Sequence, residues 1–367
     1  MAYLQNIADY YNNFPFLIKL AWIISAALLS AIFILTVVLK ILRASLRKRD
    51  EDKIRFRKTY EASLIEYLYS GTEDEALSEI QKSIIEDLKM AVCIREKRKV
   101  IISILYNLLN EVSGEMSDSI KVLYFQTGLY GYAKNKLQSG KWHIIAKGIG
   151  ELTRFKIDEA YDDVKKFIYH DRMEVRKETQ LYMVNMFRFQ GLSFLNTLEA
   201  PLSEWAQVQL LETLQRFDDQ QICDIRPWLK SKNNTVVMFA LKLAKIYNQF
   251  EVKDTLMDLL SHSKRKIRVY TIDVLTSLYG IEAKEVLKTN FKDLSLKEQI
   301  SFFGLLEKLV VPDDEPFIEK HLFHENFEIQ LLALKILKSI NLDKYMGIQK
   351  KAKKKSNPDI LEFVNKI

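Results

Sequence analysis

The amino-acid sequence predicts an all-α protein with one N-terminal transmembrane helix followed by a long array of paired helices. Three observations lead to this fold class. A stretch of twenty residues from Leu20 to Leu39 carries no charge. Turn-forming residues are scarce, with 11 Gly and 6 Pro among 367 residues, which favours long helices joined by short turns. A helical pattern of apolar residues recurs about every 31 residues through the carboxyl-terminal part of the chain.

The uncharged stretch has the length and composition of a membrane span. At ~1.5 Å per residue, twenty helical residues cover roughly 30 Å, the thickness of the hydrocarbon core of a bilayer. Leu20 and Leu39 mark its ends, and Trp22 lies near one edge, where aromatic side chains are typical of the membrane interface. A buried helix of a soluble core and a cleaved signal peptide are the alternatives. A core helix rarely runs this long without a polar face, and a signal peptide has a shorter apolar region that its basic residues precede. We therefore expect residues 20–39 to anchor the protein.

The charges that flank the span predict its orientation. Residues 1–19 carry two charges, Asp9 and Lys19. The other flank begins with a run of basic residues: Lys40, Arg43, Arg47, Lys48 and Arg49. The positive-inside rule then predicts a short non-cytoplasmic amino terminus and a cytoplasmic domain, in a single-pass protein of the cell (inner) membrane. The last four of these basic residues are candidates for contact with anionic lipid head groups, although the run serves equally well as a topology signal alone.

Residues 40–71 are predicted to form a basic juxtamembrane helical stalk that continues from the span. Apolar residues recur along it at helical spacing: Ile54, Tyr60, Leu64 and Tyr67 or Leu68. Ser70 and Gly71 end the stalk. Thr72 and Glu75 have the spacing of a capping box, which predicts a helix from about Glu73 to Met90. Another helix is expected from about Ile94 to Val112.

Beyond these helices the chain repeats itself with a constant period. Seven segments align on equivalent reference positions, which are Ile145, Arg176, Gln207, Met238, Arg268, Gln299 and Gln330. An aromatic or aliphatic residue closes each unit at a matching place, namely Phe155, Phe187, Phe217, Tyr247, Leu278, Leu309 and Ile340. Unrelated amphipathic helices do not keep register over seven units. Each unit is therefore interpreted as a first helix, such as residues 158–169 or 253–261, and a second helix that begins near the reference position.

Helix pairs of this length resemble HEAT repeats, in which the second helix often begins with a Val-Arg pair. Val175 with Arg176 and Ile267 with Arg268 keep that pair. Pro227, inside the first helix of its unit, is similar to the proline kink of many HEAT first helices. Four units depart from the pattern and replace the arginine: Gln207, Met238, Gln299 and Gln330.

The resemblance to HEAT repeats covers residues 72–341 and implies a right-handed α-solenoid. In such a fold the second helices line a long binding surface, which makes Arg176 and Arg268 candidates for contact with a partner. Residues 342–367 are then a basic connector and a C-terminal capping helix, with Asn357 and Pro358 at its start. The whole chain is similar in architecture to single-span membrane-anchored bacterial HEAT-repeat proteins, some of which accompany membrane glycosyltransferases and envelope polysaccharide machinery.

The distribution of charge argues against nucleic acid as a partner. The net charge of +7 is concentrated in residues 40–58, with nine Lys or Arg against three acids, and in residues 344–355, with six Lys and no acid. The rest of the chain is therefore net acidic. A nucleic-acid binder built on this scaffold needs its basic residues along the repeats, where a duplex would lie.

No arrangement of residues in the sequence indicates a catalytic or metal site. Cys93 and Cys223 lie in separate predicted helices and form neither a disulfide framework nor a metal knuckle. His170, His262 and His324 each precede their reference position by six residues, so we expect them to cap helix ends rather than to share a metal. The aromatic cluster from Tyr124 to Tyr132 is expected to fill the core or, where exposed, to contact a partner. We expect no cofactor and no small-molecule substrate.

These observations favour a binding function over an enzymatic one. The first hypothesis is a membrane-anchored scaffold that presents its solenoid in the cytoplasm to a membrane-associated protein, with an envelope or polysaccharide-synthesis enzyme as one such partner. The alternatives are an enzyme on a HEAT-like fold, of the DNA glycosylase or lyase type, and a sensor of anionic lipid surfaces that uses the two basic segments.

Overall fold

A computed structural model of the protein describes residues 15–70, 77–217 and 222–352. Every regular element in these three ranges is helical, and none of them is a strand, which confirms the all-α fold class. The α-helices are α1 Phe16–Tyr69, α2 Glu79–Cys93, α3 Arg95–Glu111, α4 Glu115–Gln126, α5 Leu129–Leu137, α6 Trp142–Arg154, α7 Tyr161–Lys165, α8 Met173–Phe187, α9 Glu204–Gln215, α10 Arg226–Leu229, α11 Asn234–Ile246, α12 Lys253–Leu259, α13 Arg265–Ser277, α14 Ala283–Thr289, α15 Leu296–Leu309, α16 Glu315–Glu319, α17 Phe327–Ile340 and α18 Leu342–Ala352.

Short 3-10 helices lie between several of these elements. Their bounds are Asp158–Ala160, Arg188–Asn196, Phe250–Val252, Phe291–Asp293 and Pro312–Asp314. The chain divides into two compact units, Met1–Asn135 and Lys136–Ile367. Helices α1 to α4 belong to the first unit, and α6 to α18 belong to the second.

Helix α1 is one continuous helix of 54 residues that covers both the predicted span and the predicted stalk. Its amino-terminal half is long and apolar enough to cross a membrane, and none of that apolar window is buried against the rest of the protein. A core helix of a soluble protein buries most of its apolar surface, so this segment is not one within the described fold. Its length and composition fit a membrane span, and its position near the amino terminus also fits a signal sequence.

The carboxyl-terminal half of α1 is packed on one side only. Leu64 and Tyr67 are buried, and α1 contacts α2, α3 and α4 along this face. Ile54 was predicted to belong to the same stripe, but it is 58% exposed. The reason is geometric: at ~100° per residue, Ile54 points about 140° away from Tyr67.

The remaining helices of the first unit close over this packed face. Helix α2 begins with a capping box in which Ser78 and Gln81 satisfy each other's backbone N–H groups. The side-chain amide of Gln81 also donates to the carbonyl oxygen of Tyr67 at 3.0 Å, which ties α2 to the end of α1. The capping box predicted at Thr72 and Glu75, with the helix start at Glu73, lies outside the described residues.

In the second unit, the second helices of the repeated units, which contain the reference positions in their first turns, pack on one another in chain order. Helix α6 contacts α8, and α8 contacts α9; further along, α11 contacts α13, α13 contacts α15, and α15 contacts α17. A shorter element precedes most of them and packs against its successor, as α10 does on α11 and α16 does on α17. A continuous apolar core runs through this unit from Ile168 to Tyr345.

A residue with positive φ follows the closing residue of four of the repeated units. The residues after Phe155, Phe187 and two further closing residues, Tyr247 and Leu278, all have a positive φ of about 50° although none of them is a glycine. They are Lys156, Arg188, Asn248 and Tyr279. Because this backbone conformation is uncommon in L-residues, its recurrence at matching positions is a structural counterpart of the sequence period.

Two predictions about the first elements of the units are wrong in detail. The helix expected over residues 158–169 is a 3-10 turn, the short helix α7 and a further turn. Pro227 does not kink a helix, because it lies in the first turn of α10, where its missing N–H has no intrahelical partner to lose. The predicted capping helix that starts at Asn357 and Pro358 lies outside the described residues.

Candidate interaction surfaces

The residues that define the predicted anchor form an exposed apolar surface. Trp22 is 62% exposed, Leu39 is 48% exposed and Leu20 is 42% exposed, and residues 20–39 are all exposed. Burial of apolar surface is worth ~25 cal/mol per Å², and a contiguous exposed patch of this kind marks a membrane or protein contact. The amino-terminal half of α1 therefore needs an apolar environment that the described fold does not provide.

The basic run after the span is also exposed. Arg43, Arg47 and Lys48 have no acidic group within ion-pair distance among the described residues. Arg49 differs from them because it faces Glu96 at the start of α3. Lys99 is the first cause of the lowered pKa of the Glu96 carboxyl, and Arg49 contributes to it. The four lipid-contact candidates thus divide into three free cations and one that faces another helix.

Arg176 and Arg268, the predicted partner-surface residues, bind the loop that precedes their own helix. The Arg176 guanidinium donates to the carbonyl oxygens of His170 and Asp171, at 2.7 and 2.9 Å. Arg268 does the same to His262 and Ser263, at 2.8 and 3.4 Å. Both side chains are half-buried. Whether a partner also contacts them is still a prediction.

Two glutamines at equivalent positions make the same bond. The amide of Gln207 donates to the carbonyl oxygen of Leu202 at 3.1 Å, and that of Gln299 donates to Leu294 at 3.1 Å. In all four units the acceptor lies five residues before the donor. The replacement of arginine by glutamine therefore preserves the bond that ties the loop to the second helix. We name this recurring interaction the loop bond.

The predicted role of the histidines in capping fits their geometry. In each case Nδ1 accepts a hydrogen bond at 3.0 Å from the backbone N–H two residues further along the chain, just before the second helix. The pairs are His170 with Arg172, His262 with Lys264 and His324 with Asn326. Sequence spacing alone located these residues, and the structure adds that the ring orders the turn.

Arg268 also joins neighbouring units. Its Nε and Nη2 donate to the two carboxylate oxygens of Glu298, at 2.5 and 3.2 Å, and Glu298 is buried. Burial alone would raise the pKa of this carboxyl, but the hydrogen bonds from Arg268 and Ser295 outweigh burial and hold it below its usual value. Glu298 completes a capping box with Ser295 as well. This bidentate pair is fully engaged within the protein.

A second buried charge cluster joins α14 to the start of α16. Lys284 Nζ lies 2.8 Å from Asp314 Oδ2 and 2.9 Å from the carbonyl oxygen of Leu309, while Lys288 Nζ lies 2.5 Å from Asp314 Oδ1. Lys284 and Asp314 are both buried. The pKa of Asp314 would be raised by burial, yet the two ammonium groups hold it below its usual value. Nothing near Asp314 in the sequence indicates these two lysines, which lie 30 and 26 residues before it.

Several of the second helices carry half-buried charges. Burial raises the pKa of Glu178 on α8 and of Asp273 on α13, and it lowers the pKa of Lys242 on α11. Lys242 donates to the side chain of Gln207 at 2.8 Å. The Glu178 carboxylate occupies the space beside Gly150, where a Cβ atom would come within 3.3 Å of Oε2. These groups form a mixed-charge surface rather than a cluster of one sign.

Large apolar residues at the start of several second helices are exposed. Trp205 is the most exposed of them, at 63%. The others are Trp142, Met173, Leu296 and Phe327. Sequence reasoning overlooked this set, although its signal was available: an apolar residue recurs at the first turn of the second helix, where polar residues are usual.

The second unit also contains an open groove of about 440 Å³ between α7 and the 3-10 helix Arg188–Asn196. Tyr161, Tyr169 and Phe187 line it together with the amide side chain of Gln190. The hydroxyl groups of Tyr169 and Thr197 lie 2.5 Å apart across it. Within the described ranges, no group of three or more His, Cys, Asp or Glu residues is arranged to hold a metal ion.

Comparisons with known proteins do not assign the chain to a family. No family model matches it, and no curated protein matches it. Among solved structures, a crystal structure of an engineered protein from the Northeast Structural Genomics Consortium matches 77% of this chain and 97% of that chain, at 15% identity and a TM-score of 0.17. A score this low carries no argument about fold. The HEAT resemblance is therefore still a prediction.

Proposed function

We propose that this protein is a membrane-anchored scaffold for protein-protein interaction, with a HEAT-like right-handed solenoid that faces the cytoplasm. The observation that carries the proposal is the loop bond. Arg176, Gln207, Arg268 and Gln299 make the same side-chain contact in units spaced by about 31 residues. This supports the view that consecutive helix pairs are copies of one unit. Arrays of like units offer long surfaces that suit an extended partner.

The chemistry of the exposed surface suits a protein partner. Trp142, Met173 and Trp205 are exposed apolar side chains on three consecutive second helices, and aromatic residues and methionine are enriched where proteins bind one another. The neighbouring half-buried charges are of both signs, as at the rim of such an interface. A continuous nucleic-acid surface would instead require basic residues along the whole array.

The exposed apolar half of α1 supports a membrane anchor, and the basic run after it supports a cytoplasmic location for both units. Tethering raises the effective concentration of two partners that share one membrane. The partner is therefore proposed to be membrane-associated. An envelope or polysaccharide-synthesis enzyme is the class that the architectural resemblance suggests.

Cysteine labelling tests the anchor and its orientation. Cys93 is exposed in the first unit, so a Cys223→Ser variant keeps one accessible native thiol. A membrane-impermeant maleimide should leave Cys93 unlabelled in intact cells and label it after permeabilisation. The matched control is Gln5→Cys in a chain without either native cysteine, which should be labelled in intact cells. Labelling of Cys93 in intact cells would overturn the proposed orientation.

Affinity purification tests the scaffold itself. The full chain and a variant that lacks residues 1–42 are purified in mild detergent, and their bound proteins are identified by mass spectrometry. A stoichiometric membrane protein that is recovered with the full chain supports the scaffold. If neither form retains a protein, the proposal fails, and turnover assays and liposome binding then test the enzyme and lipid-sensor alternatives.

A further inference from the structure

Beyond the apolar segment, α1 presents two different faces. At ~100° per residue, five helical turns return to the same direction after 18 residues, so Lys40 and Lys58 point the same way. Arg43, Arg47 and Ile54 lie within about 60° of that direction. The opposite face carries the buried residues Leu64 and Tyr67, together with the half-buried Phe56 and Tyr60. This face packs against α2, α3 and α4.

We call the outward-facing residues the free stripe. Its members are Lys40, Arg43, Arg47, Glu51, Ile54, Arg55, Lys58, Glu61, Ala62, Ile65 and Tyr69, and all of them are exposed. Five of these residues are cations and two are acids. In the described part of the chain, none of the five cations forms an ion pair. The apolar side chains of the stripe, Ile54, Ile65 and Tyr69, are also uncovered.

Lipid head groups do not reach most of the free stripe. The polar layer adds about 5–8 Å to each side of the hydrocarbon core, which corresponds to about five helical residues beyond Leu39. Arg43 lies within this layer. Lys58 lies about 28 Å beyond Leu39, and Arg55 about 24 Å, whereas screening confines the surface potential to about 8 Å of water. Lipid head groups therefore leave Arg55 and Lys58 available to a protein partner.

A second copy of this chain does not provide that counterpart. Two copies anchored in one membrane have parallel α1 helices, so pairing through the free stripe places Arg47 against Arg47 and Lys58 against Lys58. Like charges that face one another across an interface cost several kcal/mol. The stripe is therefore not built for self-association.

We propose that the free stripe docks an acidic amphipathic helix of a membrane-associated partner protein. This inference rests on the proposed function and identifies one binding surface of the scaffold. Carboxylates of the partner helix pair with Arg47, Arg55 and Lys58, while its apolar residues cover Ile54 and Ile65. Contacts of this kind recur at i, i+3, i+4 and i+7 along both helices. The apolar segment of α1 aligns the two helices because both chains start from the same membrane.

Site-specific photo-crosslinking tests the occupant. A benzophenone amino acid replaces Ile54 in the full chain in its native membrane, and a matched control carries it at Lys53, which is exposed about 100° away on the helix. The expected result is an adduct at position 54 alone, whose crosslinked peptide maps to an acidic helical segment of another protein. An adduct with lipid, with a second copy of this chain, or of equal yield at both positions overturns the proposal, and so does the absence of an adduct.

A charge-reversal pair separates this inference from the function on which it rests. Arg47→Glu with Lys58→Glu should lower the crosslink at position 54 by roughly tenfold or more, because it places like charges at the interface. Lys53→Glu with Arg57→Glu changes the net charge equally on other faces and should preserve the crosslink. Both pairs should stay in the membrane fraction. If the double variant of Arg47 and Lys58 still retains the copurified partner and the crosslink, the proposed scaffold function is kept and the proposed docking surface is rejected.

Discussion

The amino-terminal part of α1 and the second unit differ in the exposure of their apolar side chains and in the pairing of their charged ones. Residues 20–39 of α1 expose apolar side chains around the full circumference of a helix. Among the cations that follow, Lys53 pairs with Asp50, whereas Arg43, Arg47 and Lys48 have no ion-pair partner in the described part of the chain. In the second unit, a continuous core encloses many apolar side chains, and cations such as Arg268 and Lys284 are bound to buried carboxylates. Neighbouring helices satisfy these groups in the second unit, whereas no described helix covers residues 20–39 of α1.

This contrast distinguishes groups that stabilise the fold from groups that are exposed and can contact a membrane or another protein. Buried charges of the second unit, such as Glu298 and Asp314, already have partners, and disturbing them changes stability. The apolar residues 20–39 and the cations of the free stripe on α1 have none within the described protein, and disturbing them changes association with a membrane or with another protein.

Asp314→Ala should produce the largest loss of stability. It leaves Lys284 and Lys288 without their common carboxylate, and removal of one partner of a buried ion pair costs about 3–5 kcal/mol. The measurement is the free energy of unfolding in urea, followed by hydrogen exchange in α14 and α16. Glu212→Ala, which removes an exposed pair with Arg216, should change it by less than about 1 kcal/mol. Equal effects of the two variants would contradict the contrast.

Leu29→Arg should release the protein from the membrane without unfolding either unit. A charge at the centre of a spanning helix costs about 2.5–3.5 kcal/mol of insertion free energy. Leu29 contacts no packed helix, so circular dichroism of the units should not change. Extraction with alkaline carbonate measures the effect, and Tyr69→Arg, exposed at the far end of α1, is the control. Retention of the Leu29 variant in the membrane fraction would argue against the anchor.

Gly191→Ala should destabilise the second unit by about 2–3 kcal/mol. A Cβ atom at this position would come within 2.2 Å of the carbonyl oxygen of Met183, so the backbone must move. Gly304 provides the matched control, since a Cβ there meets nothing within 4 Å. Gly304→Ala lies inside α15 and should stabilise by up to about 1 kcal/mol. Thermal unfolding of the two variants should therefore shift in opposite directions.

Arg268→Gln should cost more stability than Arg176→Gln. Glutamine makes the loop bond at positions 207 and 299, so it can replace that part of either arginine. At position 268 it also leaves the buried Glu298 carboxylate without its guanidinium, which costs about 2 kcal/mol. The expected loss for Arg176→Gln is below about 1 kcal/mol. Urea unfolding measures both, and similar losses would show that the pair with Glu298 adds little.

A weak pH dependence is expected from His321. Burial lowers the pKa of this imidazole, and the hydrogen bond to the carbonyl oxygen of Phe317 only partly opposes burial. Since its pKa is lower in the folded protein, the associated stability is present above the unfolded value of about 6.5 and is lost as the pH falls through the folded value. His321→Phe should reduce the dependence of the unfolding midpoint on pH between the folded pKa of this imidazole and about 6.5. An unchanged pH profile would exclude this role.

Local patterns were enough to predict several features of the molecule. The uncharged length predicted an unpacked apolar helix, and the period predicted where the second helices begin. The same period aligned His170 with His262 and Arg176 with Arg268, whose contacts are equivalent. The histidine and arginine contacts could be predicted because each joins residues within about six positions of one another, where helix geometry fixes the spacing.

The sequence by itself therefore determined the helical class, the exposed apolar segment and the register of the repeated units. Tertiary structure alone decided which charges are used inside the protein. Nothing near Asp314 in the chain indicates that Lys284 will reach it, and Glu298 lies 30 residues from Arg268. Helix packing also decided that Ile54 stays outside while Leu64 is enclosed. The physical reason is that burial and pairing depend on which distant helix covers a face, whereas periodicity depends only on the helix itself.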